Sequence, residues 1–275
     1  SVPGNLHPFE LPQPGRTGLL YFADERGRIV TEMTCLPFSD EDVGVITAAV
    51  AQGHDADILR KGLTEGVVLE DWSDKIHCFI VTGPKARDLL AGIAEADLSL
   101  PWLSVQYTAK VAGKDVALVR VSFAGELGWE IHCDRGDAAA IYDAVLAGGA
   151  KPFGMRALNA MRVEKGYRAW KGDLSTDYSL LEGGLERFID WTHDFPGKTA
   201  LQAEKQRGVK KRFVSLRVDA GDCDAPYMST LWHGGQVVGE TTSGTWGYRV
   251  GHSMALGMNW CSIDVYGFDP TWRAS

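Results

Sequence analysis

The chain has 275 residues, enough to bury a sizeable hydrophobic core in one large domain or in two to three subdomains. Its 45% hydrophobic and 23% charged residues are ordinary for a globular protein. The net charge of −8 argues against a nucleic-acid partner and against an anionic membrane surface, because phosphate groups would repel the chain.

The first residues, the lack of a membrane-spanning run and the cysteines predict a soluble, cytoplasmic protein. Residues 1–15 are rich in Pro and Gly and lack a signal-peptide pattern, so we expect an exposed strap or the scar of a truncation. No apolar run is long enough to span a bilayer, which predicts no membrane partner. Five scattered cysteines without a CxxC pair indicate reduced thiols instead of disulfides or a zinc site. Seven singly dispersed histidines predict no metal site.

The segment up to residue 165 alternates hairpins with single helices. Short apolar runs predict strands, and apolar residues at helical spacing predict helices, with Gly and Pro between them. We expect strands at 17–22, 29–36, 42–47, 76–81, 107–111 and 116–123. We expect helices at 48–63, 85–93, 137–146 and 155–165. This order indicates an α+β fold and not a doubly wound parallel sheet.

The pattern of predicted secondary structure changes after residue 190. Short strands are expected at 213–218, 227–232, 236–242 and 248–257, with Gly, Asp and Ser between them. This spacing predicts a small antiparallel barrel or sandwich. The charged stretch 202–212 is expected to be uniformly solvated and to lie near a domain boundary. We therefore predict an α+β region at 1–200 and a barrel-like domain at 201–275.

The segment AGELGWEIH, residues 124–132, is the first candidate for chemistry. Its two glycines permit a tight turn and close approach of a planar ligand to the backbone. Glu126 and Glu130 are carboxylates that can accept two parallel hydrogen bonds from a 2-aminopyrimidine-type edge. Trp129 offers an aromatic face beside them. Taken alone, the segment is more typical of a hairpin-to-strand turn with surface carboxylates.

Two further segments also admit a structural and a functional interpretation. In residues 154–175, Arg156 and Arg162 form either a structural ion-pair set or a positive anchor for a pocket carboxylate. Residues 239–258 have the small side chains of a barrel hairpin.

The chain has no GxGxxG after a strand, no Walker-type loop, no HExxH and no GxSxG. Dinucleotide, nucleoside-triphosphate, zincin and α/β-hydrolase functions therefore lack their minimal residues.

Taken in order, the motifs resemble the aminomethyltransferase (glycine cleavage T-protein) family. The segments that carry the resemblance are GELGWEIH, RALNAMRVEKGYRAW, LLEGGLERFIDW, DFPGKTAL and VVGETTSGTWGYRVGHSMALGM. They are most similar to the branch fused to dimethylglycine and sarcosine dehydrogenases, and the resemblance extends over about residues 15–258. It implies a ring of subdomains around a central hole that holds tetrahydrofolate, with the family's N-terminal segment missing here.

The resemblance also implies roles for individual residues. Glu32, in IVTEMT, occupies the position of the catalytic carboxylate, where most members have Asp. Glu130 matches the carboxylate that anchors the pterin, and Glu126 is its neighbour in the same motif. The remaining predicted folate-binding residues are Arg156, as a stand-in for a pocket arginine, Tyr21 and Trp129.

Two classes of function follow from the resemblance. The first is an enzyme that transfers an aminomethyl or methyl unit from a small methylated donor to tetrahydrofolate, with a flavoprotein or carrier protein as partner. The second is a non-catalytic folate-binding module of a larger flavoprotein, or a folate sensor. Related iron–sulfur assembly factors have a Lys-Gly-Cys-Tyr motif, whereas residues 165–168 read KGYR and contain no cysteine.

Overall fold

The computed structural model describes residues 12–260, so most of the expected N-terminal strap and the stretch 261–275, with Cys261, lie outside the described residues. The chain divides into two compact units. The described parts of the first unit are residues 12–20 and 33–154, and those of the second are residues 21–32 and 155–260. Among the described residues, no helix combines the length and hydropathy needed to cross a bilayer.

The described residues form helices and strands of moderate length. The helices are α1 Gln52–Gly62, α2 Ala86–Ala91, α3 Ala138–Ala147, α4 Met155–Glu164 and α5 Lys198–Arg207. The strands are β1 Gly18–Ala23, β2 Ile29–Pro37, β3 Val43–Ile46, β4 Ile76–Thr82, β5 Ala94–Glu95, β6 Val105–Val111, β7 Lys114–Val119, β8 Gly128–Asp134, β9 Lys211–Val218, β10 Thr230–His233, β11 Gln236–Gly247 and β12 His252–Trp260.

The first unit is built on a five-stranded antiparallel sheet in the order β4-β8-β7-β6-β5. Side chains alternate between the faces of a strand, so the odd-numbered residues of β8 share one face. Trp129 and Ile131 point to that face and pack with Leu90 of α2 and Ile141 of α3. Val119 of β7 belongs to a separate cluster with Leu36 and Val105. Both faces of the sheet are therefore partly covered.

The second unit contains a four-stranded antiparallel sheet in the order β10-β11-β12-β9. Helix α4 packs on it through Val163, which contacts Met254 and Leu256 of β12. Strands β1, β2 and β3 form a three-stranded sheet in that order. The boundary between the units falls within β1 and β2. The α+β class and the antiparallel C-terminal sheet are as predicted.

Three local predictions for the second half of the chain are wrong. The stretch 202–212 is not uniformly solvated, because α5 occupies its first half and buries Glu204. The strand expected at 227–232 starts at Thr230, since the Thr241 hydroxyl holds the backbone of 226–229 in a turn. The strand expected at 248–257 starts at His252, because Glu164 accepts hydrogen bonds from the 249–250 backbone and fixes a turn there.

Candidate functional site

Glu130 lies in the middle of β8, directly opposite Ile80 of β4 and Val119 of β7. Its carboxylate retains 20% of its exposure, and Oε2 lies 3.1 Å from His132 Nε2. The glycine that precedes this part of the strand is required by space, since a Cβ on Gly128 would lie 2.9 Å from Thr82 Oγ1. The Gly-rich bend therefore presents Glu130 on a rigid, doubly paired strand.

Glu126 and Trp129 share the motif with Glu130 but differ from it in position. Glu126 lies half-buried in the bend that precedes β8. Trp129 is 1% exposed and belongs to the core between the sheet and helices α2 and α3. The Arg120 guanidinium stacks 4.5 Å from the centre of its ring. Because neighbouring residues of a strand point to opposite faces, Trp129 backs the strand and does not share a face with Glu130.

Tyr21 and Glu32 lie on the β1–β2 hairpin and belong to the second unit. The buried Tyr21 hydroxyl donates a hydrogen bond to the half-buried Glu32 carboxylate. Burial raises the pKa of Tyr21 well above its usual value, and the negative charge of Glu32 raises it further, while Arg168 acts in the opposite direction. Tyr21 therefore remains a neutral hydrogen-bond donor to Glu32 at physiological pH.

The turn of this hairpin is tied to the rest of the second unit. Arg28 Nη1 lies 2.7 Å from the buried Glu182 carboxylate, and the Ile29 amide donates to the Tyr178 carbonyl at 3.0 Å. Gly197 contacts the turn so closely that a Cβ there would lie 2.4 Å from the Asp24 carbonyl oxygen. These contacts hold the strand that carries Glu32 in a defined place.

Arg168 and Trp170 are residues of the second unit that the sequence interpretation did not single out. The Arg168 guanidinium lies 4.3 Å from the centre of the Phe213 ring, and burial lowers the pKa of Arg168. Arg168 Nε and Trp170 Nε1 are buried and have no hydrogen-bond acceptor within residues 12–260. Both belong to the RALNAMRVEKGYRAW motif, which was the available signal. They supply two N–H donors close in sequence to the buried Asp173.

Arg156 lies on the first turn of α4 and is largely exposed. Its side chain forms an ion pair with Asp224 and retains 86% of its exposure. The structure thus brings Tyr21 together with Glu32 in the second unit and brings Glu126, Trp129 and Glu130 onto one bend and strand of the first. Arg156 has Asp224 as its ion-pair partner.

A cavity of about 420 Å³ lies in the second unit at the edge of the C-terminal sheet. Its walls include Arg217, Trp246 and His252. None of the six residues predicted from the sequence lines it. It is therefore separate from the candidate site.

Comparison with known proteins gives matches along nearly the whole chain. Residues 7–193 match the family model described as the GCVT N-terminal domain, and residues 211–259 match the glycine cleavage T-protein C-terminal barrel domain. Human mitochondrial dimethylglycine dehydrogenase is 34% identical over 257 residues, which is 90% of this chain and 30% of that protein. An aminomethyltransferase from Thermosynechococcus vestitus is 30% identical over 93% of this chain and 69% of its own length.

A solved structure shares the fold. The glycine cleavage system aminomethyltransferase T from Bartonella henselae superimposes with a TM-score of 0.78 at 21% sequence identity. The match covers 93% of this chain and 72% of that one. The chain spans less than a third of the length of the dimethylglycine dehydrogenases it matches.

Proposed function

Because the chain belongs to the glycine cleavage T-protein family, as its motifs predict, we propose that it transfers a one-carbon unit from a methylated donor to tetrahydrofolate. The observation that carries this proposal is the hydrogen bond from buried Tyr21 to the half-buried Glu32 carboxylate. A carboxylate held by a neutral donor keeps its charge and its orientation. That is the group such a transfer requires next to the migrating carbon.

Tetrahydrofolate supplies the nucleophilic nitrogen that accepts the one-carbon unit. Glu32 stabilises the positive charge that develops on the donor side, and its effect is strengthened where water is excluded. Phe22 and Ile29, on the same hairpin, are 2% and 0% exposed, which keeps the surroundings of the strand apolar. Tyr21 acts as a positioning residue, because it holds the carboxylate oxygen that it contacts.

Within each unit, taken by itself, polar side chains fit groups of a folate. Glu130 uses one oxygen for His132, so its carboxylate retains acceptor capacity for the amino edge of a pterin. Arg168 Nε and Trp170 Nε1 are buried donors without acceptors in residues 12–260, and they suit carbonyl or carboxylate oxygens. In this proposal Glu126 supports the bend, and Trp129 fixes the strand from behind. Arg156 contributes a positive charge on the first turn of α4.

Binding is tested by a thermal-shift titration with tetrahydrofolate. A ligand that binds only the folded chain stabilises it by about 2.7 kcal/mol at a concentration of 100 Kd. Glu130→Gln removes a charge-assisted contact of roughly 1.5–3 kcal/mol, which corresponds to roughly a 10- to 100-fold weaker Kd. Asp115→Asn is the matched control, because Asp115 is an exposed carboxylate on the neighbouring strand β7. Equal affinities of the two variants would contradict the role of Glu130.

Transfer is tested separately from binding. Isotope-labelled methylated amine, methyl thioether and methyl ether donors are incubated with the chain and tetrahydrofolate, and label on the folate is measured by mass spectrometry. Glu32→Gln should abolish most of the transfer while retaining the thermal shift, since it removes the charge and keeps the shape. Tyr21→Phe should lower the rate less than Glu32→Gln does, because it removes only the group that orients the carboxylate.

A second candidate function is a non-catalytic folate-binding module of a larger flavoprotein. It is favoured by the 34% identity with human mitochondrial dimethylglycine dehydrogenase, in which the matched region is 30% of the protein. The same variants separate the two functions. The binding module would bind tetrahydrofolate through Glu130 and show no transfer from any donor. Its affinity for tetrahydrofolate would be the same in wild type and in Glu32→Gln.

A further inference from the structure

Three metal-ligating side chains of the first unit converge on one point of the five-stranded sheet. Cys78 of β4 lies directly opposite His132 of β8, and Glu130 lies two residues before His132 on the same face. Cys78 Sγ is 3.7 Å from His132 Nε2, and that nitrogen is 3.1 Å from Glu130 Oε2. All three ligand atoms lie within 4.8 Å of one another.

This arrangement does not suit a nucleophilic Cys–His–Glu relay. In such a relay one ring nitrogen faces the nucleophile and the other faces the carboxylate. Here the same nitrogen, His132 Nε2, faces both Cys78 and Glu130. The three ligand atoms therefore converge on one point and do not form a linear relay. Convergence of this kind is the geometry of a metal-chelating site.

Two of the three distances between the ligand atoms lie close to those around a tetrahedral ion. Bonds of about 2.3 Å to sulfur and about 2.0–2.2 Å to nitrogen and oxygen place neighbouring ligand atoms roughly 3.3–3.6 Å apart. The observed 3.7 and 3.1 Å lie close to these values. Strand β8 is paired on both sides, and Trp129 and Ile131 pack behind it, so the ligands are held in place before an ion arrives.

We propose that Cys78, Glu130 and His132 form a binding site for Zn²⁺ or a divalent ion of similar chemistry. A thiolate, an imidazole and a carboxylate are ligands that Zn²⁺ accepts, and Mg²⁺ and Ca²⁺ prefer oxygen ligands alone. Three protein ligands leave a fourth position for water or for an added ligand. Because Glu130 also belongs to the proposed pterin site, competition between Zn²⁺ and tetrahydrofolate follows, and that consequence rests on the proposed function.

The site is tested by calorimetric titration of the chelator-treated chain with Zn²⁺. We expect one ion per chain and roughly 10-fold or greater weakening in each of Cys78→Ser and His132→Asn. His77→Asn is the matched control, because His77 is adjacent to Cys78 but points to the opposite face, against Phe79. Cys78 is exposed, so Cys78→Ser is expected to fold, and near-ultraviolet circular dichroism verifies this.

Cobalt substitution identifies the sulfur ligand directly. Co²⁺ bound by the wild-type chain should show a thiolate-to-cobalt charge-transfer band that is absent from Cys78→Ser and retained in His77→Asn. Zn²⁺ binding that is absent, or unchanged in both ligand variants, would overturn the site. Failure of the proposed function is distinguishable, since it appears as absent tetrahydrofolate binding in the chain whose metal has been removed by chelator.

Competition is measured in a third titration. Zn²⁺ at a concentration that just saturates the wild-type chain should raise the apparent Kd of tetrahydrofolate for that chain and raise it less for Cys78→Ser, which binds the ion more weakly. An equal effect of Zn²⁺ on both chains would mean that the ion acts elsewhere, which would contradict competition at Glu130.

Discussion

Two arginines on helix α4 form ion pairs with aspartates in very different surroundings. Arg162 and Asp173 retain 5% and 0% of their side-chain exposure, and Arg156 retains 86%. Arg162 also donates to Asn159 and to Ser243, and Asp173 accepts from the Thr242 and Ser243 hydroxyls. The buried pair therefore joins the helix, the segment after it and strand β11 in one hydrogen-bonded network.

Breaking the buried pair should destabilise the chain far more than breaking the exposed pair. Arg162→Met leaves Asp173 buried without its cation, and we expect a loss of about 3–5 kcal/mol in the free energy of unfolding. Arg156→Met, the matched control, should cost at most about 1 kcal/mol. Denaturant midpoints of the two variants measure the difference. Equal losses would mean that Asp173 is solvated or satisfied without Arg162.

The raised pKa of Tyr21 links stability to alkaline pH. Burial and Glu32 favour the neutral phenol in the folded chain, whereas the unfolded chain ionises near its usual pKa of about 10. The contribution of Tyr21 is fully present below about pH 10 and is lost above it, at about 1.4 kcal/mol per pH unit. Tyr21→Phe should lower the observed slope by that amount, and the raised pKa values of Tyr107 and Tyr178 account for a remaining slope. The measurement is urea unfolding between about pH 9 and 11, and an unchanged slope would contradict the prediction.

At the scale of elements, the DFPGKTAL motif has a structural explanation. Gly197 directly precedes α5 and has a φ of 83°, and its position leaves no room for a side chain beside Asp24 and Gly27. Leu201, one turn later, is fully buried and fills the space over Gly27. The motif therefore docks a helix onto the turn of the hairpin that carries Tyr21 and Glu32.

Adding a single methyl group should disturb this docking. Gly197→Ala combines a left-handed conformation, worth about 1–2 kcal/mol, with a clash against backbone, so we expect a larger loss of stability and a lower rate of transfer. Gly66→Ala is the control, because Gly66 has a φ of 85° and open space around it. The variants are compared by thermal unfolding and by the isotope-transfer assay. A smaller loss in Gly197→Ala than in Gly66→Ala would contradict the docking role.

Features that depend on residues close together in sequence could be predicted, and contacts between distant segments could not. Hairpins and helices with a clear apolar period were predictable, and the role of Glu130 within its motif stays a prediction. The proximity of Cys78 to His132 was not, since the pairing of β4 with β8 joins segments more than 50 residues apart. The segment 165–197 was also out of reach, because side chains such as Ser179 and Glu182 replace backbone pairing there. The domain boundary at 200 stays a prediction.

At the scale of the whole molecule, chain order and compact units do not coincide. Residues 21–32 lie in sequence between two parts of the first unit, residues 12–20 and 33–154, yet they belong to the second unit. Phe22 and Ile29 of this segment are buried, and Arg28 forms the ion pair with Glu182. The second unit therefore depends on a hairpin that lies more than 100 residues upstream of its main part.

This dependence on the upstream hairpin predicts that residues 155–275 alone will lack fixed tertiary structure. Without the hairpin, the fragment loses the burial of Phe22 and Ile29, each worth about 1.5–3 kcal/mol, against a typical total stability of about 5–15 kcal/mol. Near-ultraviolet circular dichroism should show no fixed aromatic environment for the fragment. Adding a synthetic peptide of residues 17–37 should restore part of the native signal, and a peptide with Ile29→Asp should not. A native spectrum from the fragment by itself would show that the hairpin is dispensable for the fold of this unit.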